Sequence, residues 1–258
     1  MTGVQGRVVI VTGGTQGLGE GIARQLAAEG AAGIVVCGRG RDRGERVAGA
    51  LESAGCAALY VPADLAREED CRRVVAACDR RFGRVDGLVN AAGDSSRGTL
   101  EDTSVALWER LFAVNARAPF LLMQESVRIM RREGRGGSIV NVITISSHGG
   151  QPTIMAYCAS KGALATLTRN VAHALRGDRI RVNGVNVGWM DTPAEHQVQR
   201  AMGRPEGWLE EAEAAQPFGR LIRPADVAHL VAYLLGEKGR MMTGALIDFD
   251  QHVVGAWD

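Results

Sequence analysis

A tyrosine and a lysine four residues apart have the types and spacing that most directly indicate chemistry. Tyr157 and Lys161 fall within 154–175, where the apolar spacing predicts a helix, and residues four apart share one helix face. A nearby cation favours the charged form of a phenol, so Lys161 is expected to hold the pKa of Tyr157 below the value of about 10 for a free side chain. Such a tyrosine can exchange protons with a substrate near neutral pH.

The segments around this pair alternate between strand and helix patterns. The β-branched run 139–145 before Tyr157 is typical of a strand buried on both faces of a parallel sheet. Similar runs predict strands at 7–12, 33–38, 57–61, 87–89, 179–187 and 243–247, with helices at 43–54, 68–82, 104–132 and 223–235 among those between them. This order predicts an α/β, doubly wound Rossmann-type fold with a seven-stranded parallel sheet flanked by helices.

Composition limits the classes of partner. The chain has 258 residues, which predicts one domain over 1–258, and its 30 basic and 29 acidic residues give a net charge of +1. Without a block of like charges, neither nucleic acid nor a membrane is expected as partner. The start has no signal-like pattern and no apolar run is long enough for a bilayer, so a cytoplasmic protein is expected. Five cysteines without metal-ligand spacing predict idle thiols and no metal site.

A glycine-rich turn follows the first predicted strand. Its residues are Gly13, Gly14, Thr15, Gln16, Gly17, Leu18 and Gly19, and a helical pattern comes next. Glycines let the backbone approach a ligand closely, and a helix N-terminus offers free N–H groups to a phosphate. This context favours a pyrophosphate-binding turn, and the alternative is a tight connection that binds nothing.

The second strand ends where dinucleotide-binding folds meet the adenosine ribose. A carboxylate there binds a free 2'-hydroxyl, whereas an arginine accommodates a 2'-phosphate. This chain has Arg39, with Arg41 and Arg43 close behind. We therefore expect NADP(H) to be preferred, with NAD(H) as the alternative. A solvated Arg39 that contacts no cofactor is the other interpretation.

Further polar residues follow the other strands. Asp64, which precedes Leu65, is a candidate to bind an adenine amino group or to cap the next helix, and Asn90 follows the fourth strand. Asn115 lies among apolar residues of the predicted helix 104–132, so a buried amide there needs partners, either in a site or at a local kink. The strand-free segment 193–218 is typical of a lid or a binding loop.

Together these motifs resemble the short-chain dehydrogenase/reductase family, in its compact subgroup of about 250 residues. The matching pieces are Thr12-Gly13-x-x-x-Gly17-x-Gly19, Asp64, Asn90-Ala91-Ala92-Gly93, Asn115, Tyr157-x-x-x-Lys161 and Gly188 to Thr192. The resemblance implies a nicotinamide dinucleotide and a catalytic group of Asn, Ser, Tyr and Lys. Tyr157 would be the acid/base, Lys161 would lower its pKa and hold the nicotinamide ribose, and Asn115 would position a water. Met190 and Thr192 would face the nicotinamide amide.

Three positions depart from the family pattern. Thr144 stands in the place of the family's Ser, thirteen residues before the Tyr, and its hydroxyl can donate the same hydrogen bond while its methyl occupies pocket space. Val187-Gly188 replaces Pro-Gly, and Asp250-Gln251-His252 replaces the usual Asp-Gly-Gly ending.

The sequence thus predicts an enzyme that transfers hydride between NADP(H) and a small-molecule carbonyl or secondary alcohol. Thr144 motivates the alternative of a catalytically impaired sensor or scaffold that binds the dinucleotide. An isomerase or dehydratase is disfavoured because no extra substrate domain is present. Polar residues at 148, 151, 189, 195 and 196 are expected at the mouth of the substrate pocket. Surplus apolar positions in 104–132 and 154–175 predict a homotetramer or homodimer.

Overall fold

The computed structural model describes residues 3–256 and forms one α/β domain around a seven-stranded sheet. The strands are β1 Val8–Thr12, β2 Gly33–Gly38, β3 Ala57–Pro62, β4 Gly87–Asn90, β5 Gly137–Thr144, β6 Ile180–Val187 and β7 Leu246–Phe249. All neighbours are parallel, in the order β3-β2-β1-β4-β5-β6-β7. The predicted doubly wound Rossmann-type fold is confirmed.

Nine α-helices are found within residues 3–256. They are α1 Gly17–Ala28, α2 Arg41–Ser53, α3 Glu68–Phe82, α4 Val105–Phe112, α5 Ala118–Glu133, α6 Met155–Leu175, α7 Pro193–Ala201, α8 Trp208–Ala214 and α9 Pro224–Leu235. None of the helices in this range is long and apolar enough to cross a membrane.

Both faces of the sheet are buried under helices because successive strand residues point to opposite sides. In β1, Val9 and Val11 pack with α1, α2 and α9 in one core cluster, whereas Ile10 packs with α3, α5 and α6 in the other. This explains why the strands have unbroken apolar runs. The chain reverses its winding direction between β1 and β4, and parallel sheets of this type open a crevice beyond the carboxyl ends of those strands.

The structure corrects three predicted elements. The helix expected over 104–132 is divided into α4 and α5 by a π-helical segment, Ala113–Arg117. The last strand lies at 246–249 rather than 243–247, because Gly244 adopts a φ of 75° just before it. The segment 193–218 lacks a strand as expected, but it contains α7 and α8 rather than an extended loop. All five cysteines are free, and four of them are buried.

Candidate active site

A cavity of about 580 Å³ lies at the carboxyl ends of β1 to β6, where the crevice is expected. The predicted site residues that line it are Gly13, Thr15, Gln16, Gly17, Leu18, Gly19, Arg39, Asp64, Leu65, Ala91, Gly93, Thr144, Tyr157, Lys161, Gly188, Met190 and Thr192. Two predicted residues, Asn90 and Asn115, are not among the lining residues. The motifs of seven separate segments therefore converge on one cleft.

The glycine-rich turn packs too closely for side chains. Gly13 has a φ of 65°, and a Cβ there would lie 2.9 Å from the Cα of Ala92. A Cβ on Gly19 would lie 2.4 Å from the carbonyl oxygen of Gly13. Helix α1 begins at Gly17, and within residues 3–256 the Gln16 side chain makes no capping hydrogen bond. The free N–H groups of the first turn thus lie at the cavity, in a cradle whose shape and dipole fit a pyrophosphate.

Arginines lie at the end of β2, where the cavity wall is exposed. Arg39 and Arg43 both line the cavity. In the sequence, Arg43 was named only as a neighbour of Arg39. The four-residue spacing between the two arginines was the signal that could have indicated a shared position at the cavity. Asp64 accepts a hydrogen bond from the Ala66 N–H at 3.1 Å, which closes a turn, and Arg67 rather than Asp64 occupies the N-cap of α3. The helix-cap interpretation of Asp64 is therefore wrong.

Lys161 is a buried ammonium at the floor of the cleft. It is 3% exposed, and its Nζ donates a hydrogen bond to the Val142 carbonyl at 2.8 Å. Burial lowers the pKa of Lys161 to about 8, because removing water penalises the charged form. Strand β5 and the second turn of α6 fix this contact, since Val142 lies near the carboxyl end of β5 and both residues line the cleft.

We expect the amine of Lys161 to titrate near pH 8 in the free protein. The chain has only two lysines, Lys161 and the exposed Lys238, so NMR of protein labelled at the lysine Cε atoms gives two signals. A Lys238→Arg variant assigns them. A Lys161 signal that stays in its protonated position up to pH 10 would contradict the desolvation argument.

Tyr157 retains its proton more strongly than the sequence suggested. Burial raises the pKa of Tyr157 to about 12, the charge of Glu195 acts in the same direction, and the Thr144 hydroxyl opposes the shift. Lys161 is not among the groups that shift this pKa, so the predicted lowering by Lys161 is wrong, and desolvation sets the direction. In the free protein the phenol is a proton donor, and Thr144 lies beside it, as its place in the sequence predicted.

Asn115 is fully buried behind the cleft and is satisfied by protein groups. Its Nδ2 donates to the Asp94 carbonyl at 2.8 Å and to Ser160 Oγ at 3.0 Å, while its Oδ1 accepts from the Asp94 N–H at 2.9 Å. The π-helical segment turns this amide toward the loop after β4 and toward α6. A Cβ on Gly93 would lie 3.6 Å from both Asn115 Oδ1 and Lys161 Nζ, so these two groups flank Gly93.

Asn90 supports the floor of the cleft from below. Its Nδ2 donates to Asn141 Oδ1 at 2.8 Å, and Asn141 in turn donates to Thr168 Oγ1 at 2.8 Å. All three side chains are buried, so this chain of hydrogen bonds connects β4, β5 and α6. The network fixes the strand and helix that carry Thr144 and Lys161.

The segment after β6 closes the other end of the cleft. Thr192 caps α7 by accepting the Glu195 N–H at 3.2 Å. A Cβ on Gly188 would lie 2.1 Å from Asp250 Oδ1, so the altered C-terminal turn packs directly on this glycine.

The lid-like segment contributes polar groups that the sequence suggested only in part. Glu195 accepts hydrogen bonds from Trp189 Nε1 at 2.9 Å and from Gln199 Nε2 at 2.6 Å, and all three side chains line the cavity. Gln199 was missed, although its four-residue spacing from Glu195 on one helix was a signal. Gln151 also lines the cavity. His148 and His196 do not, because they pair with Asp248 and Asp191 instead.

Comparisons with known proteins found related dehydrogenases and reductases. The family model described as Enoyl-(Acyl carrier protein) reductase matches residues 13–251. The cis-4-hydroxycyclohexanecarboxylate dehydrogenase of Sinomonas cyclohexanicum is 35% identical over 95% of both chains. The NADP-dependent (R)-specific alcohol dehydrogenase of Lentilactobacillus kefiri is 32% identical over 94% of both. The L-sorbose reductase of Gluconobacter frateurii, solved with NADPH and L-sorbose, superposes with a TM-score of 0.93 at 28% identity over 99% of both.

The fold, the cleft and these relatives define an oxidoreductase that acts on CH–OH and C=O groups. The chain belongs to the short-chain dehydrogenase/reductase family.

Proposed function

We propose that this protein transfers hydride between NADP(H) and a carbonyl or secondary alcohol of a small molecule, with Tyr157 as the acid/base. The observation that carries the proposal is the convergence of Tyr157, Thr144 and Lys161 in one cleft with the glycine-rich turn. The NADP-dependent relative and the NADPH-bound reductase support the choice of cofactor.

The residues of the cleft fit a nicotinamide dinucleotide. The backbone of Gly13–Gly19 would hold its pyrophosphate, Arg39 the 2'-phosphate, Asp64 and Leu65 the adenine end, and Met190 and Thr192 the nicotinamide amide. The bound dinucleotide supplies or accepts the hydride. The turn of Asn90, Ala91 and Gly93 completes the wall, with Ala91 and Gly93 at the surface and Asn90 beneath it.

Residues of the chain would donate and accept the proton that accompanies hydride transfer. In reduction, the Tyr157 hydroxyl donates its proton to the substrate oxygen while the Thr144 hydroxyl donates a hydrogen bond to the same atom. In oxidation the Tyr157 oxygen takes the proton back. Lys161, whose amine lies on the floor of the cleft beside the Val142 carbonyl, would hold the nicotinamide ribose. Asn115, held against Ser160 and the loop after β4, positions the π-helical segment and a water that connects Lys161 to solvent.

A panel of ketones and secondary alcohols with NADPH, NADP+, NADH and NAD+ tests the proposal. Turnover with at least one pair is expected. The Thr144→Val variant, which keeps the shape and loses the hydroxyl, should be about a hundredfold slower, whereas Thr144→Ser should stay active. Tight NADPH binding without turnover, unchanged in Thr144→Ser, would instead show a dinucleotide-binding sensor or scaffold.

Arg39→Ala is expected to weaken NADPH binding by about tenfold or more and NADH binding by less than threefold. A guanidinium makes charge-assisted hydrogen bonds with a 2'-phosphate, and NADH has no such group. Dissociation constants from nucleotide fluorescence titration give the ratio. The Arg41→Ala variant is the matched control, because Arg41 pairs with Glu45 and does not line the cavity. Equal losses for both nucleotides would exclude the phosphate role of Arg39.

We also propose that the protein is a homotetramer or homodimer. Val105, Trp108 and Phe120 on α4 and α5 are 73%, 41% and 44% exposed, which leaves apolar surface beyond the face that packs inside the domain. Light scattering at micromolar concentration measures the mass directly, and a monomer would contradict this proposal.

A further inference from the structure

A second cavity, of about 680 Å³, opens at the end of the sheet opposite the candidate active site. It is lined by the segments that enter β1, β4, β5 and β6, at residues 5–7, 84–86, 135–137 and 176–181. Residues within 236–243 form the remaining wall of this cavity. Strand β5 contributes Gly137 to this cavity and Val142 to the first, and at about 3.3 Å per residue the two linings lie about 16 Å apart along the strand. This cavity is therefore separate from the dinucleotide cleft.

The lining of the second cavity is strongly basic. It contains seven arginines and two carboxylates, although the whole chain has a net charge of only +1. The two carboxylates are already paired: Glu237 with Arg7, and Asp86 with Arg84 at 2.5 Å. Five guanidinium groups remain for which no carboxylate partner lies within residues 3–256. They belong to Arg135, Arg176, Arg179, Arg181 and Arg240.

Arg181 is the innermost of these five groups. Its two terminal nitrogens donate to the carbonyl oxygens of Gly239 at 2.8 Å, Gly236 at 3.3 Å and their neighbours, so carbonyl dipoles rather than a countercharge hold it. Burial and the nearby Arg7 cation both lower the pKa of Arg181. The charge of Glu237, which is paired with Arg7, opposes that shift, so the cavity holds a partly desolvated positive charge with no carboxylate partner of its own among the described residues.

The arginines nearer the rim of the cavity differ in how firmly neighbouring residues hold their side chains. Arg179 donates to the Gly134 carbonyl at 2.8 Å and has a left-handed φ of 58°, which fixes its place in the turn before β6. Arg135 and Arg240 are exposed and form no ion pair within the described residues. A rigid inner wall with adjustable arginines at the mouth suits a ligand with several oxyanion groups, because guanidinium forks bind phosphate oxygens in pairs.

We propose that this arginine-lined cavity binds a small oligophosphate, either an inorganic chain or the phosphate chain of a nucleoside triphosphate. Two or three linked phosphoryl groups carry enough charge to offset the five unpaired guanidinium groups. The proposal depends on the charges at the amino ends of the strands alone. It is independent of which substrate or cofactor the opposite cleft binds.

Thermal unfolding with inorganic tripolyphosphate tests the proposal. At about one hundred times its dissociation constant, the ligand should raise the melting temperature of the wild-type protein by about 5 °C or more. The Arg135→Gln/Arg240→Gln double variant should bind at least about tenfold more weakly, because each lost guanidinium removes charge-assisted hydrogen bonds. Arg135→Lys/Arg240→Lys, which keeps the charge, should fall between the two.

Two controls separate this cavity from other sites. Arg169→Gln removes an exposed arginine of α6 that does not line either cavity, and it should bind tripolyphosphate like the wild type. Arg39→Ala alters the dinucleotide cleft and should also retain binding. Equal binding by the double variant and the wild type, or loss of binding in Arg39→Ala alone, would overturn the proposal. The unliganded melting temperature of each variant shows whether it is folded.

Adenosine triphosphate in a parallel titration distinguishes the two sources of the phosphate chain. Tighter binding than tripolyphosphate, lost in the double variant, assigns the cavity to a nucleotide. Equal or weaker binding, with the same loss, assigns it to the inorganic chain.

Discussion

Replacing Tyr157 with Phe is expected to lower kcat by about a thousandfold while the affinity for NADPH stays within about threefold of the wild type. The substitution keeps the ring and removes the hydroxyl that lies beside Thr144 and that would donate a proton to the substrate oxygen. Its effect falls on the chemical step because the phenol contributes no charge to cofactor binding in the free protein. Steady-state kinetics and nucleotide fluorescence titration measure the two quantities separately.

The matched control is Tyr233→Phe, since Tyr233 is 41% exposed on α9 and does not line the cleft. This variant should retain wild-type kcat and KM. If Tyr157→Phe kept more than about a tenth of the activity, the proton would have to come from another group, and the acid/base role of Tyr157 would be wrong.

Gly19→Ala should weaken binding of NADP+ and NADPH by more than about a hundredfold. The added Cβ would lie 2.4 Å from the carbonyl oxygen of Gly13 and 2.9 Å from the amide nitrogen of Gly14. Both are backbone atoms, which cannot rotate away as a side chain could. Either the turn opens or α1 shifts, and both movements displace the N–H groups that would hold the pyrophosphate. Calorimetric titration with NADP+ measures the loss.

Gly49→Ala provides a matched glycine substitution elsewhere. Gly49 is an exposed residue of α2, and a Cβ there meets nothing within 4 Å among the described residues. Alanine should stabilise that helix by about 1 kcal/mol and leave cofactor binding unchanged. Gly19→Ala protein that unfolds at the wild-type temperature and binds NADP+ normally would show that the turn does not hold the pyrophosphate.

The sheet was predictable because each strand has a local sequence pattern. Buried parallel strands need apolar residues on both faces, so 33–38 and 139–145 were recognisable without knowledge of their neighbours. The π-helical segment at 113–117 was not, because five-residue hydrogen bonding leaves no distinct apolar period. Asn115 among apolar residues was the only indication, and the interpretation as a local kink came closest to the structure.

The site was predictable where motifs are contiguous and unpredictable where distant groups meet. The four-residue spacing of Tyr157 and Lys161 places both at the cleft, yet the direction of the Tyr157 pKa shift depends on how much water the fold removes. That removal of water depends on segments that are distant in the sequence. For the same reason the arginine-lined cavity was not predictable, because its residues come from five separate segments.

The π-helical segment also decides which neighbours the long helical stretch packs against. In an uninterrupted α-helix, Leu111 would lie in line with Ala118 and Leu122, because 7 and 11 residues are close to two and three whole turns. The extra residue rotates α4 by about 100° relative to α5. Helix α4 then packs its buried Leu111 side toward α6, while α5 packs on the sheet and α3.

Helices α4 and α5 are therefore rotated relative to each other about a nearly common axis, so each presents a different face to the rest of the domain. Deleting one residue within 113–117 would turn Leu111 toward the sheet and withdraw Asn115 from Ser160 and Asp94. A deletion of the same length at 204–207, in the exposed turn between α7 and α8, would change no helix phase. At the junction of α4 and α5, the number of residues between the two helices therefore matters as much as their chemistry.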